Sequence, residues 1–150
     1  MVWIHGGAYL TGSNDPYMYG PHYFYSNEDQ MDKVILVTVN YRLGVLGFLS
    51  LEDEIAPGNL GLRDQNLALQ WVQKHISNFG GDKSKVTVFG LSAGAQSTNY
   101  HVLSPQSRGL FDKVRTTKIF ISRYRQTLSA VLKVFSFYDN NFVVLGNYAL

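Results

Sequence analysis

Lys85-Val86-Thr87-Val88-Phe89-Gly90-Leu91-Ser92-Ala93-Gly94 is the stretch that decides how this chain folds. Its first half is a short run of β-branched and aromatic residues, the composition of a buried strand. Its second half fits the pattern G-x-S-x-G, and the residues after it read as a helix ending before Pro105. A serine on so sharp a strand-to-helix turn has a strained backbone and carries its Oγ above the sheet. Gly90 and Gly94 are expected where a Cβ would meet neighbouring backbone, because the helix must pack close to the strand. The pentapeptide alone is a weak signal and equally fits a glycine-softened helix start. The strand before it and the helix after it favour a nucleophilic Ser92.

Upstream, Val2-Trp3-Ile4 is a second short apolar run, and it stops at His5-Gly6-Gly7-Ala8. A glycine-rich loop after a strand, placed before a serine turn, can aim backbone N–H groups at a carbonyl oxygen that gains charge. Gly6, Gly7 and Ala8 are the candidates on that loop, with Ala93 as a further donor at the helix start. The competing reading is a plain turn after a strand. Lys33 to Val39 (KVILVTV) predicts a third strand, apolar on both faces as in a parallel sheet. Residues 8–21 and 40–59 read as loops, and Ser26–Gln30 as the cap of one short helix. Ala68, Trp71, Val72, Ile76 and Phe79 repeat at i, i+3, i+4 spacing. They predict a helix over 62–79 with those residues as its apolar face, stopped by Gly80-Gly81. Strands alternating with helices in this order define an α/β class with a parallel sheet.

Composition narrows the function. Of the 150 residues, 45% are hydrophobic and 16% charged, which suits a packed core rather than disorder. A net charge of +2 gives no electrostatic footprint for nucleic acid. No apolar run reaches the roughly 18–20 residues of a membrane span. Met1–Gly7 lacks the charged start and long apolar core of a signal peptide. With no cysteine, disulfide and thiolate–metal schemes are excluded. No metal ligand set and no cofactor motif are read in the chain. Charge is uneven: residues 1–113 carry 8 Lys/Arg and 10 Asp/Glu, whereas residues 114–150 carry 5 and 1.

Taken with these motifs, VWIHGGAY (2–9), VNYRLGVLGFLS (39–50), GNLGLRDQNLALQWV (58–72), ISNFGGDKSKVTVFGLSAGAQS (76–97) and HVLSPQSRGLF (101–111) resemble the type B carboxylesterases, the group that includes the cholinesterases. The resemblance implies a partial α/β-hydrolase fold, with the 2–4 strand between the 33–39 and 85–89 strands. It implies cofactor-free hydrolysis of a small-molecule carboxylic ester through an acyl-enzyme on Ser92, with an oxyanion hole from Gly6, Gly7, Ala8 and Ala93. A catalytically dead, esterase-like adhesion protein is the alternative within the same resemblance. Relatives of that kind typically lose the serine that is kept here. Residue 91 is often glutamate in the family, and Leu91 removes that carboxylate from beside the nucleophile. Family members are often secreted, which leaves localisation open.

The triad of this fold runs Ser, then Asp/Glu, then His. After Ser92 the chain holds one histidine, His101, and two acids, Asp112 and Asp139. None has the family's setting, so the segment is expected to be inactive alone. His5 is assigned to the glycine loop, His22 to loop surface and His75 to helix surface. Tyr9, Tyr17 and Tyr19 are read either as gorge lining or as loop packing. Residues 1–113 form the expected esterase segment. Residues 114–150 are expected to be a tail of other origin, either intron read-through after Lys113 or a divergent terminus with an amphipathic segment near Leu128–Phe137.

Overall fold

The computed structural model describes residues 1–20 and 34–117. The cap expected at Ser26–Gln30, the surface role of His22 and the segment near Leu128–Phe137 lie outside the described residues. Among the described residues four parallel strands form the sheet: β1 (Val2–Ile4), β2 (Val37–Val39), β3 (Thr87–Leu91) and β4 (Lys113–Thr117), in the order β2-β1-β3-β4. Val2 stands beside both Val37 and Val88, and Ile4 beside both Val39 and Gly90. The glycine-loop strand thus lies between the other two expected strands, as the resemblance implies. The fourth strand pairs Thr87–Leu91 with Lys113–Thr117, so regular structure continues past Lys113.

The central strand is covered on both sides. Val2 and Ile4 are buried in the main core with Val39, Val86 and Val88. Trp3 points the other way and packs on Phe89 and Tyr19, with ring centroids 4.9 and 5.1 Å apart. This two-sided burial is the reason the strand sequences are continuously apolar rather than alternating.

Among the described residues the helices are α1 (Pro16–Tyr19), α2 (Gly44–Phe48), α3 (Leu60–His75) and α4 (Ala93–Leu103). Two of them lie where loops were expected. Both α1 and α2 span about one turn, too short for a helical period to show in the sequence. Asp15 caps α1 by accepting from the Tyr17 N–H, and Pro16 occupies the first helical position. Gly44 opens α2 with φ 55° and donates its N–H to the Tyr9 carbonyl at 2.7 Å.

Helix α3 is rotated and shortened relative to expectation. Its buried face is Gln65, Asn66, Leu69 and Val72, continued by Ile76, while Ala68 is only partly buried. Trp71 is 45% and Phe79 62% exposed. Trp71 instead meets both His75 and Phe79 on the outer side. The helix tightens into a 3-10 turn at Ile76–Phe79, closed by Gly80 at φ 81°. The periodicity of large apolar residues was therefore a poor guide here, because two of the core-facing positions are amides.

Candidate active site

Ser92 sits between the last residue of β3 and the first residue of α4, with φ 56° and ψ −117°. Few L-residues hold that conformation, which carries strain of about 1–3 kcal/mol. The turn is imposed by close packing of α4 on the sheet. A Cβ on Gly94 would lie 2.0 Å from the Ile4 carbonyl oxygen, and one on Gly90 would lie 2.4 Å from the Gly94 carbonyl carbon. Glycine is required at both places for the reason read from the sequence. The outcome is an exposed Ser92 above the sheet, followed at once by buried Ala93. As the first residue of α4, Ala93 has an N–H with no acceptor inside the helix.

The glycine loop lies against this turn. A Cβ on Gly6 would lie 2.7 Å from the Leu91 carbonyl oxygen and 3.2 Å from the Ser92 Cβ. Gly7 (φ 115°), Ala8 (φ 55°) and Tyr9 (φ 62°) then run through three successive positive-φ conformations. The Gly7 carbonyl accepts from the N–H groups of Leu10 and Thr11, which closes the loop. His5 is buried and stacks on Tyr41 at 4.5 Å. Its Nδ1–H donates to the Gly6 carbonyl at 2.7 Å, and the Tyr41 hydroxyl donates to the His5 carbonyl at 2.9 Å. The five sequence candidates, Gly6, Gly7, Ala8, Ser92 and Ala93, thus fall on two neighbouring segments at the same end of β1 and β3. Leu91, 36% exposed, presents an apolar side chain next to the serine.

A buried polar chain behind Ser92 escaped the sequence reading. Ser97 on α4 donates to the Tyr9 hydroxyl at 3.3 Å and accepts from the Gln65 amide at 3.2 Å. Gln65 Oε1 accepts from His101 Nε2 at 3.0 Å, and His101 Nδ1 faces the Ser107 hydroxyl at 2.9 Å. Asn66 donates to Ser107 Oγ at 2.8 Å. With both ring nitrogens engaged by neutral groups, burial lowers the His101 pKa to about 4. Burial pushes the Tyr9 phenol well above its usual range, so it stays neutral. The available signal was Gln65-Asn66 at i−4 and i−3 from Leu69, polar residues on a face that turns out to be internal. Tyr9 belongs to this core, whereas Tyr17 is 85% exposed and Tyr19 packs on Trp3.

None of the described histidines serves Ser92 through a hydrogen bond. His5 is turned to its own loop, His75 packs beside Trp71, and His101 is held in the buried chain. Among the described residues, no group of three or more His, Cys, Asp or Glu could hold a metal. No described helix is long and apolar enough to cross a membrane.

The profile of the carboxylesterase family matches residues 1–116. This chain belongs to the carboxylesterase family. It is 54% identical over 113 residues to Cholinesterase 1 of Branchiostoma lanceolatum, covering 75% of this chain and 30% of that protein. A carboxylic ester hydrolase of Bombus ignitus is 50% identical over 130 residues, covering 85% and 22%. The crystal structure of juvenile hormone esterase from Manduca sexta, with OTFP covalently attached, superposes with a TM-score of 0.69 at 46% identity, covering 75% of this chain and 20% of that one. The carboxylesterase chain described here thus spans about a third or less of the length of these relatives, and its parallel sheet is part of an α/β-hydrolase fold.

Proposed function

We propose that the protein carrying this chain hydrolyses small-molecule carboxylic esters through an acyl-enzyme formed on Ser92. One observation carries this reading: an exposed serine at φ 56°, ψ −117° heads α4 with Gly6 packed against it. In the first half-reaction Ser92 Oγ bonds to the ester carbonyl carbon as a general base takes the hydroxyl proton. The carbonyl π electrons move to oxygen, and the oxyanion is met by N–H groups of the Gly6–Ala8 loop and of Ala93. Such donors each contribute roughly 3–4 kcal/mol to lowering the barrier. The C–O bond to the alcohol then breaks, the base returns its proton to the leaving oxygen, and water repeats the sequence to release the acid. In this reading the base is a histidine oriented by a carboxylate, in the chain order Ser, acid, His. His5, His75 and His101 do not fill that place.

A fluorophosphonate probe tests the assignment on the full-length protein. Stoichiometric labelling that maps to Ser92 and vanishes in Ser92→Ala supports it. An unlabelled Ser92 in folded protein favours a non-catalytic, esterase-like binding protein. The same reading treats residues 1–113 as esterase segment and 114–150 as a tail of other origin. Transcript sequencing across the codons for Lys113 and Val114 tests that division. A message joining Lys113 to a further esterase exon supports it, and uniform read-through to Leu150 counts against it.

A further inference from the structure

The glycine loop holds two consecutive non-glycine residues, Ala8 and Tyr9, at positive φ. Such a turn persists only where its surroundings over-determine it. The Tyr9 carbonyl accepts from Gly44 N–H, and the ring is buried 4.9 Å from Phe48. The Tyr9 hydroxyl links the loop to the helix that follows Ser92 by accepting from Ser97, five residues after Ser92. Ser97 is itself held by Gln65 on α3, and Gln65 by His101. An apolar side chain at position 9 would fill the same space without that hydrogen bond to α4.

We propose that Tyr9 is a positioning residue: its hydroxyl, fixed to Ser97, sets the left-handed Ala8–Tyr9 turn so that the glycine-loop N–H groups stand at oxyanion distance from Ser92. This rests on the ester-hydrolysis reading above. The bond acts on the geometry of the loop, and its worth is realised where charge develops rather than in binding the ground-state ester. Loosening it therefore lowers turnover and affinity for a hemiketal-forming inhibitor, and leaves substrate binding nearly unchanged.

The test uses the full-length protein, Tyr9→Phe, Ser97→Ala and the double variant, with p-nitrophenyl butyrate as substrate. Active sites are titrated with a fluorophosphonate, so that kcat refers to competent molecules. A trifluoromethyl ketone, 1,1,1-trifluoro-2-octanone, reports the oxyanion hole directly, because its serine adduct carries the oxyanion. Tyr9→Phe is expected to lower kcat per titrated site about 10-fold with KM within about two-fold, and to weaken the ketone in proportion. Ser97→Ala is expected to match it, and the double variant to add little. If Tyr9→Phe does not fold, the same split in Ser97→Ala decides. Unchanged kcat and ketone affinity, a loss residing in KM, or additive losses overturn the positioning role while leaving the esterase reading intact. A parent protein that the fluorophosphonate does not label overturns the esterase reading, and the positioning role with it.

Discussion

Gly94 passes so close to Ile4 that a methyl group on it would stand 2.0 Å from the Ile4 carbonyl oxygen. That contact places the first turn of α4 directly on the end of the central strand and so aims Ser92. Gly94→Ala is expected to be severely destabilising, by more than about 3 kcal/mol, because the obstacle is backbone and cannot rotate away. Gly109→Ala is the control: its φ is 76°, but nothing lies within 4 Å of the added methyl. There only the left-handed conformation resists, at a cost of about 1–2 kcal/mol. Urea denaturation of both variants checks the difference, and equal losses would contradict the packing argument.

Ser92 carries strain that a glycine would relieve. Ser92→Gly is expected to raise stability by about 1 kcal/mol and to abolish fluorophosphonate labelling. Ser92→Ala should lose labelling without that gain, since alanine meets the same positive φ. Melting curves of the two variants side by side separate strain from loss of the hydroxyl.

His101 makes stability depend on pH. Its folded pKa, about 4, lies below the ordinary 6.5 because burial disfavours the cation. Between those values the unfolded chain binds more protons, so stability rises with pH through that window. The contribution is fully present above about 6.5 and is lost as pH falls toward 4. Its size is on the order of 3 kcal/mol. His101→Ala should flatten this dependence and cost about 2–4 kcal/mol at pH 7, because Gln65 Oε1 and Ser107 lose partners around a new cavity. Denaturant midpoints at stepped pH values, for parent and variant, check both effects.

Arg42 and Asp64 form a two-pronged ion pair, with Nε to Oδ2 and an Nη to Oδ1 both at 2.7 Å. The Arg42 N–H also donates to Asp64 Oδ2 at 3.0 Å. The guanidinium's hydrogen bonds hold the Asp64 carboxyl below its usual range. A depressed acid stabilises the fold above its unfolded pKa near 4 and loses that effect as pH falls through the folded value. Asp64→Asn is therefore expected to lower the denaturation midpoint slightly at pH 7 and by less near pH 2. Since both side chains are partly exposed, the difference should shrink in high salt. Urea melts at both pH values, in low and high salt, test this.

Much of the site was legible because it depends on local rules. A β-branched run followed by Gly90-Leu91-Ser92-Ala93-Gly94 can hardly be anything but a strand turning into a helix. His5-Gly6-Gly7 after Val2–Ile4 reads in the same way. The polar chain from Tyr9 to Ser107 was not legible, because Gln65, Asn66, Ser97 and His101 are residue types that normally face water. They are buried here because each finds a partner on another element. The same fact misdirected the expected face of α3 toward Trp71 and Phe79.

The sequence by itself determined the order of β1, β2, β3 and the two long helices, the sharp turn at Ser92 and the family, since glycines at fixed spacing state where backbones must touch. Only the tertiary structure decided that β4 extends the sheet over Lys113–Thr117, that α3 presents amides inward, and that Tyr9 reaches Ser97 across 88 residues of chain. Those outcomes depend on which distant group supplies the partner for a buried polar atom, and no local pattern of residues encodes that.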